Sequence, residues 1–362
     1  MLLDHVRETF YLHHQLTDPM VVSETSPALF FSRMVAHLCA PVFVFLAGLS
    51  AYLYGSRQAD GRAAASTFLW KRGLFLVFLE FTVVNFAWTF QFPPTKIYLQ
   101  VIWAIGVCML ALAGLVWLPR QAILATGVIL VAGHNFLDGI HLPADHVLHV
   151  AWAILHDRGW IHTFNGALRL RTSYPVLPWI GVIALGYAIG PWFAQGSAPS
   201  SRSRRLLACG WTLLGGFVVL RALDIYGDRS WSAGESFFLT FMSFVNVTKY
   251  PPSLLFVALT LGIGMLLLRE FEGRDGAAWL APLVIFGSAP MFFYVLHLYV
   301  LKLLYQGAVA IWGPNHGELF GLDRVWQLWA TAALMATLLY PAVKAFSKFK
   351  SRRRDIAWLR YL

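Results

Sequence analysis

Charge is scarce in this chain. Of its 362 residues only 13% are Asp, Glu, Lys or Arg, against 58% hydrophobic, and the mean hydropathy is +0.61. A soluble domain of this length needs more charge on its surface, so the composition excludes one. Cysteine is scarce too. Cys39, Cys108 and Cys209 all lie inside apolar runs, where they read as small buried hydrophobes and form no disulfide framework. No cleavable signal peptide is recognisable. Sustained strand alternation is missing, which argues against a β-barrel.

What remains is a series of apolar runs. Spanning helices need about 20 mostly apolar residues. The runs fall at 28–55, 66–90, 98–118, 121–140, 175–195, 206–223, 252–269, 278–304 and 324–346, with residues 1–14 in addition. The expected fold is therefore all-α, a polytopic membrane bundle of about ten spans. Residues 1–346 form its membrane domain and 347–362 a basic tail. The 15 Trp, 13 Tyr and 28 Phe suit two aromatic interface belts.

The net charge of +10 is unevenly placed. If residues 1–14 end outside, the inner loops hold Arg57, Arg62, Lys71, Arg72, Arg120, Arg202, Arg204, Arg205, Arg269 and Arg274. The tail adds Lys344, Lys348, Lys350, Arg352, Arg353, Arg354 and Arg360. The outer loops hold only Lys96, Arg158, Arg169, Arg171, Arg229 and Lys249. This bias puts the C-terminus in the cytoplasm and makes the basic excess a topology signal, so no nucleic-acid partner is expected. Two long outer segments, 140–174 and 224–251, read as interfacial or re-entrant helices.

Ionisable residues inside spans are expensive and mark candidate sites. Arg33 and His37 are four apart, on one helix face just before Pro41. They read either as a functional pair or as a tie between helices. Glu80 lies deep in the next run, either paired with an arginine or catalytic. His134, Asn135 and Asp138 open a cluster continued by His141, Asp145, His146 and His149. Its spacing fits no strong metal motif, and it crosses Leu142-Pro143, so no metal is expected. Tyr294 and His297, three apart and deep, are either a satisfied interhelical pair or part of a site. Asp4 and His5 sit about two turns inside the outer interface. A histidine there is able to move a proton, with Asp4 or Arg33 setting its tautomer, and base and structural polar residue stand as equal readings.

The stretches "LDHVRETF", "SPALFFSRMVAHLCAPVFVFLAGLSAYLYG", "QVIWAIG", "GHNFLDGI", "SYPVLPWIGVIALGYAIG", "KYPPSLLFVALTLGIGMLLL" and "PMFFYVLHLYVLKLL" cover nearly the whole chain. Together they resemble bacterial multi-span relatives of the heparan-alpha-glucosaminide N-acetyltransferase catalytic domain, within the transmembrane acyltransferase superfamily. The resemblance implies a bacterial inner-membrane enzyme. It would move an acyl group from cytoplasmic acetyl-CoA to an amine or hydroxyl of a sugar outside, with His5, or else His37, as the base. It also implies that the chain opens at an internal Met, lacking a basic-then-acidic stretch. A form longer by about 15–20 residues would then complete the first span and be more stable or more active.

On that reading Lys71, Arg72, Arg202, Arg204 and Arg205 face the anionic acyl-CoA. Asn135 or Tyr294 would stabilise the oxyanion. Trp160, Trp231, Arg169 and Arg171 would hold the acceptor, although interface anchoring accounts for the tryptophans equally well. The partners are the bilayer, the sugar acceptor and, as a further option, a second copy of the chain in a homodimer. The competing reading is a proton-coupled transporter or a lipid or glycolipid flippase, with Glu80, His37 and His297 as a relay.

Overall fold

The structure is a computed structural model that describes residues 1–163, 166–353, 355, 356 and 359. Arg354 and Arg360 of the basic tail lie outside the described residues.

The chain is mostly helical. A short helix α1 (Leu2–Phe10) is followed by α2 (Pro27–His37) and α3 (Cys39–Gly55), which are nearly continuous. Their junction at Leu38 follows from Pro41. Its ring has no N–H to offer the His37 carbonyl and crowds it, so the helix breaks one turn earlier. Next come α4 (Gly61–Leu79), a π-helical turn (Glu80–Val84) and α5 (Asn85–Thr89), running as one helix with a widened turn inside it. Such turns are uncommon and concentrate at functional positions.

The remaining helices are α6 (Val101–Leu115), α7 (Arg120–Gly133), α8 (His149–Leu155), α9 (Leu177–Ala188), α10 (Pro199–Leu223), α11 (Phe237–Val245), α12 (Leu254–Gly273), α13 (Ala281–Ser288), α14 (Pro290–Trp312) and α15 (Val325–Arg352). Five are long and apolar enough to cross a membrane: the Pro27–Gly55 pair taken together, α10, α12, α14 and α15. Each of the nine apolar runs contains helix, but the count of ten spans is not reproduced by length and composition. The run 278–304 is not one helix: it divides between α13 and α14 at Ala289, where Pro290 opens the longer helix at its first turn.

A second departure from the all-α expectation lies in the long polar segments. Three short strands form one sheet: β1 (Lys96–Leu99), β2 (Trp160–Thr163) and β3 (Leu168–Thr172), in the order β1-β3-β2. β3 runs parallel to β1 and antiparallel to β2, with Trp160 opposite Arg171 and His162 opposite Arg169. Segment 140–174 therefore carries one short helix, α8, and two strands, in place of re-entrant helices. The signal was present in "LRLRT", a five-residue alternation of period 2.

Helices pack closely where glycines face each other, as expected where apolar surroundings give no hydrophobic drive. A Cβ at Gly73 of α4 would strike the Gly106 carbonyl of α6, and one at Gly48 of α3 would strike the Ile183 carbonyl of α9. The main core gathers Trp103, Leu112, Trp179, Phe256 and Tyr294 from four helices. A smaller cluster of Val6, Phe10, Leu301 and Leu328 seats α1 against α14 and α15. That seating fixes where Asp4 and His5 point.

Candidate active site

A cavity of about 280 Å³ runs between α1, α3, α4, α6 and α14. Its walls are mainly apolar, from Phe43, Leu46, Ile105, Met109 and Met291. The polar groups sit at its two ends. Arg72 and Ser50 lie on the side of the α3–α4 turn, while Asp4, His5, Tyr174 and Lys249 lie on the side of the sheet.

His5 Nδ1 meets His297 Nε2 at 2.7 Å, and His297 Nδ1 meets the Phe293 carbonyl oxygen at 2.6 Å. A carbonyl only accepts, so the proton of His297 lies on Nδ1. Neutral His297 then accepts at Nε2, and His5 donates from its own Nδ1. His5 Nε2 is left with a lone pair, on a ring that lines the cavity. The tautomer of His5 is thus set by His297, not by Asp4 or Arg33.

Two aromatic side chains stand edge-on to His5: Trp88 at 5.4 Å and Tyr294 at 5.5 Å between ring centroids. Trp88 Nε1 and Tyr294 Oη are buried without a hydrogen-bond partner among the described residues. A buried donor left unpaired costs roughly 1–3 kcal/mol, so two beside one histidine call for an explanation. Of the two, Tyr294 lines the cavity and is placed to donate to a group beside the imidazole, with the Trp88 N–H close to its hydroxyl.

Asp4 belongs to an ion cluster. Its carboxylate accepts from Arg33 at 2.5 Å and from Arg7 at 3.0 Å, with Lys249 Nζ at 3.9 Å. Arg33 and Lys249 are almost fully buried. Lys249 also lies over the rings of Tyr250, at 5.0 Å, and Tyr174, at 5.8 Å. Its backbone N–H donates to Asp18, whose carboxyl is pushed up from its usual range by burial against the pull of Arg33, Lys249 and Arg158. Sequence reading counted Lys249 only as an outer-loop charge and did not single out Trp88. Neither has a local signal, since each acquires its role from residues far away in the chain.

His37 is buried with both ring nitrogens unpartnered among the described residues. It packs edge-on to Phe256 at 5.4 Å and does not line the cavity, although its neighbours Ala36, Cys39 and Ala40 do. Glu80, at the π-helical turn, accepts from the Trp103 N–H at 2.9 Å and so caps the first turn of α6. No arginine pairs with it among the described residues. Asn135 accepts from the Leu254 N–H at 2.9 Å, at the start of α12, and donates to Asp138 at 2.8 Å. It does not line the cavity, whereas Tyr294 does.

His134 holds the Val131 carbonyl, and Asp138 pairs with His156 at 3.3 Å. His141 pairs with Asp157 at 3.1 Å. Among the described residues no three of His, Cys, Asp and Glu converge in an arrangement able to hold a metal.

The basic candidates separate in the same way. Arg72 lines the cavity, and its Nε is buried and unpartnered among the described residues. Lys71, next to it, is exposed. Arg202 is bonded to Glu272, Arg204 is exposed, and Arg205 lies over Trp192 at 5.9 Å. None of these three lines the cavity. On the sheet, Arg169 and Arg171 both lie over Trp160, at 5.5 and 5.3 Å, with Tyr98 alongside. Burial and the neighbouring Arg158 charge pull the Arg171 guanidinium down from its usual value. Trp231 stands apart, donating to the Arg221 carbonyl at 2.9 Å.

The family of the catalytic domain of heparan-alpha-glucosaminide N-acetyltransferase matches residues 9–221. The chain belongs to that family. As a member of this acetyltransferase family with several apolar helices, it is a multi-pass membrane protein. No curated protein and no solved structure matches it. The family match begins just after His5 and ends before α14, so the His5–His297 pair is described by the geometry alone.

Proposed function

We propose that the protein transfers an acetyl group from acetyl-CoA to an amine or hydroxyl of a sugar on the opposite side of a bacterial inner membrane. The observation that carries this reading is His5. It lines the cavity with Nε2 unprotonated and Nδ1 held by His297, which is itself fixed on a backbone carbonyl.

The donor enters from the end marked by Arg72, whose guanidinium meets a phosphate or amide oxygen of the CoA arm. The apolar walls take the pantetheine chain. The thioester carbonyl comes to rest beside His5, with Tyr294 Oη donating to its oxygen as charge develops. The acceptor approaches from the sheet side, past Trp160, Arg169 and Arg171. His5 Nε2 takes the proton from the acceptor as its nitrogen or oxygen attacks, and the CoA sulfur leaves as the C–S bond breaks. The cationic cluster around Asp4 keeps the outer end polar and holds α1 in place. The C-terminus is on the cytoplasmic side.

The test is acetyl transfer by the purified protein from labelled acetyl-CoA to glucosamine-type acceptors in detergent. Product formation with release of free CoA is expected. Failure to cleave the thioester with every acceptor, together with solute or lipid movement in vesicles, would establish transport in its place.

A further inference from the structure

A second cavity, of about 340 Å³, opens at the end of the bundle where the α3–α4 and α6–α7 turns meet α9. It is separate from the one holding His5. On α3 the first cavity is lined by Phe43, Ala47 and Ser50, whereas the second is lined by Tyr52 and Gly55, on the other side of the helix. Arg62, at the start of α4, and Arg120, at the start of α7, both line it. Neither forms an ion pair or a side-chain hydrogen bond with any described residue, and no carboxylate lines the cavity. Tyr52 and Tyr187 meet edge to face at 5.4 Å on its wall, and Val116 and Leu118 add apolar surface.

Two arginines lining one cavity that holds no carboxylate, both exposed to solvent, favour a negatively charged occupant that can reach them from outside. The mixed lining adds a requirement, since the occupant brings apolar as well as anionic surface. The level of the cavity fits this. Trp117, 55% exposed, and Leu118, 42% exposed, project at the same turn, as interfacial anchors do. Basic pockets between helices at that level suit phosphate headgroups.

We propose that this cavity is a binding site for a phosphate group, held between Arg62 and Arg120, away from the acetyl-transfer site. The phosphate is carried by an anionic phospholipid of the adjoining leaflet or by a soluble phosphate. Such a site ties the α3–α4 and α6–α7 turns together, and both helices α3 and α4 also wall the first cavity.

The test uses the full chain, stripped of lipid in detergent, as wild type, R62Q/R120Q and R57Q. Arg57 lies exposed in the same turn but does not line the cavity. Phosphatidylglycerol and phosphatidylcholine are titrated and bound lipid is read by native mass spectrometry. Sodium phosphate is titrated separately and read as a shift in Tm. Retention of phosphatidylglycerol but not phosphatidylcholine by wild type and R57Q, lost in R62Q/R120Q, assigns the site to lipid. A phosphate-induced Tm shift with the same pattern, without lipid retention, assigns it to a soluble phosphate. Equal binding by R62Q/R120Q, equal loss in R57Q, or no response to either ligand overturns the proposal.

Discussion

His5 and His297 are 292 positions apart in the chain, yet their ring nitrogens meet at 2.7 Å. The Phe293 carbonyl one turn back on α14 fixes the outer ring, and that ring fixes the inner one. Two packing contacts therefore decide a protonation state: α1 on α14, and His297 on its own helix.

His297 is accordingly a positioning residue. Gln at 297 retains a side-chain acceptor and donor but loses the fixed imidazole. His297→Gln is expected to lower kcat by about ten- to a hundredfold, a fraction of what a general base contributes. It should also displace the acid limb of the kcat/KM profile, because the basicity of His5 depends on this partner. Loss of rate with an unmoved pH profile would mean that His297 only fills space.

Asp4 is held by Arg33, Arg7 and Lys249 in a buried setting. Asp4→Asn leaves Arg33 and Lys249 uncompensated and is expected to cost about 3–5 kcal/mol, as broken buried pairs do. Thermal unfolding in detergent reads this directly. The double variant Asp4→Asn/Arg33→Met should be more stable than Asp4→Asn alone. Additive losses would show that the two do not act as a pair.

Glu80 caps α6 through the Trp103 N–H. Glu80→Gln keeps an acceptor oxygen and is expected to retain acetyl transfer within a few-fold. Glu80→Ala loses the cap and should cost about 1–2 kcal/mol of stability. A proton relay through Glu80 predicts otherwise, with Gln as harmful to activity as Ala.

Much of the helical plan was legible, because hydropathy and proline placement are local. The break at Ala289 was signalled by Pro290, and the sheet by the alternation of "LRLRT", but a 20-residue apolar window passes over both. The site was legible only as a set of polar residues in apolar runs. Asn135 and Glu80 look alike in that respect, yet both serve helix starts, at α12 and α6. Lys249 looked like a loop charge and is buried beside Asp4. What a side chain touches across the bundle sets its role, and a distance of 292 positions carries no local trace.

Arg72 lines the cavity at the end away from His5, with an unpartnered Nε among the described residues. Arg72→Gln is expected to raise the KM for acetyl-CoA by roughly tenfold, the loss of one charge-assisted hydrogen bond, with kcat little changed. Initial rates over a range of donor concentrations check it. A fall in kcat at unchanged KM would place Arg72 in the chemistry.

The most direct measurement compares acetyl transfer by wild type, His5→Gln and His37→Gln at saturating acetyl-CoA, each variant first shown to unfold at a similar temperature. The account predicts a loss of about a hundredfold or more for His5→Gln, the usual contribution of a positioned base, and a much smaller change for His37→Gln. Full activity in His5→Gln with loss in His37→Gln would contradict it.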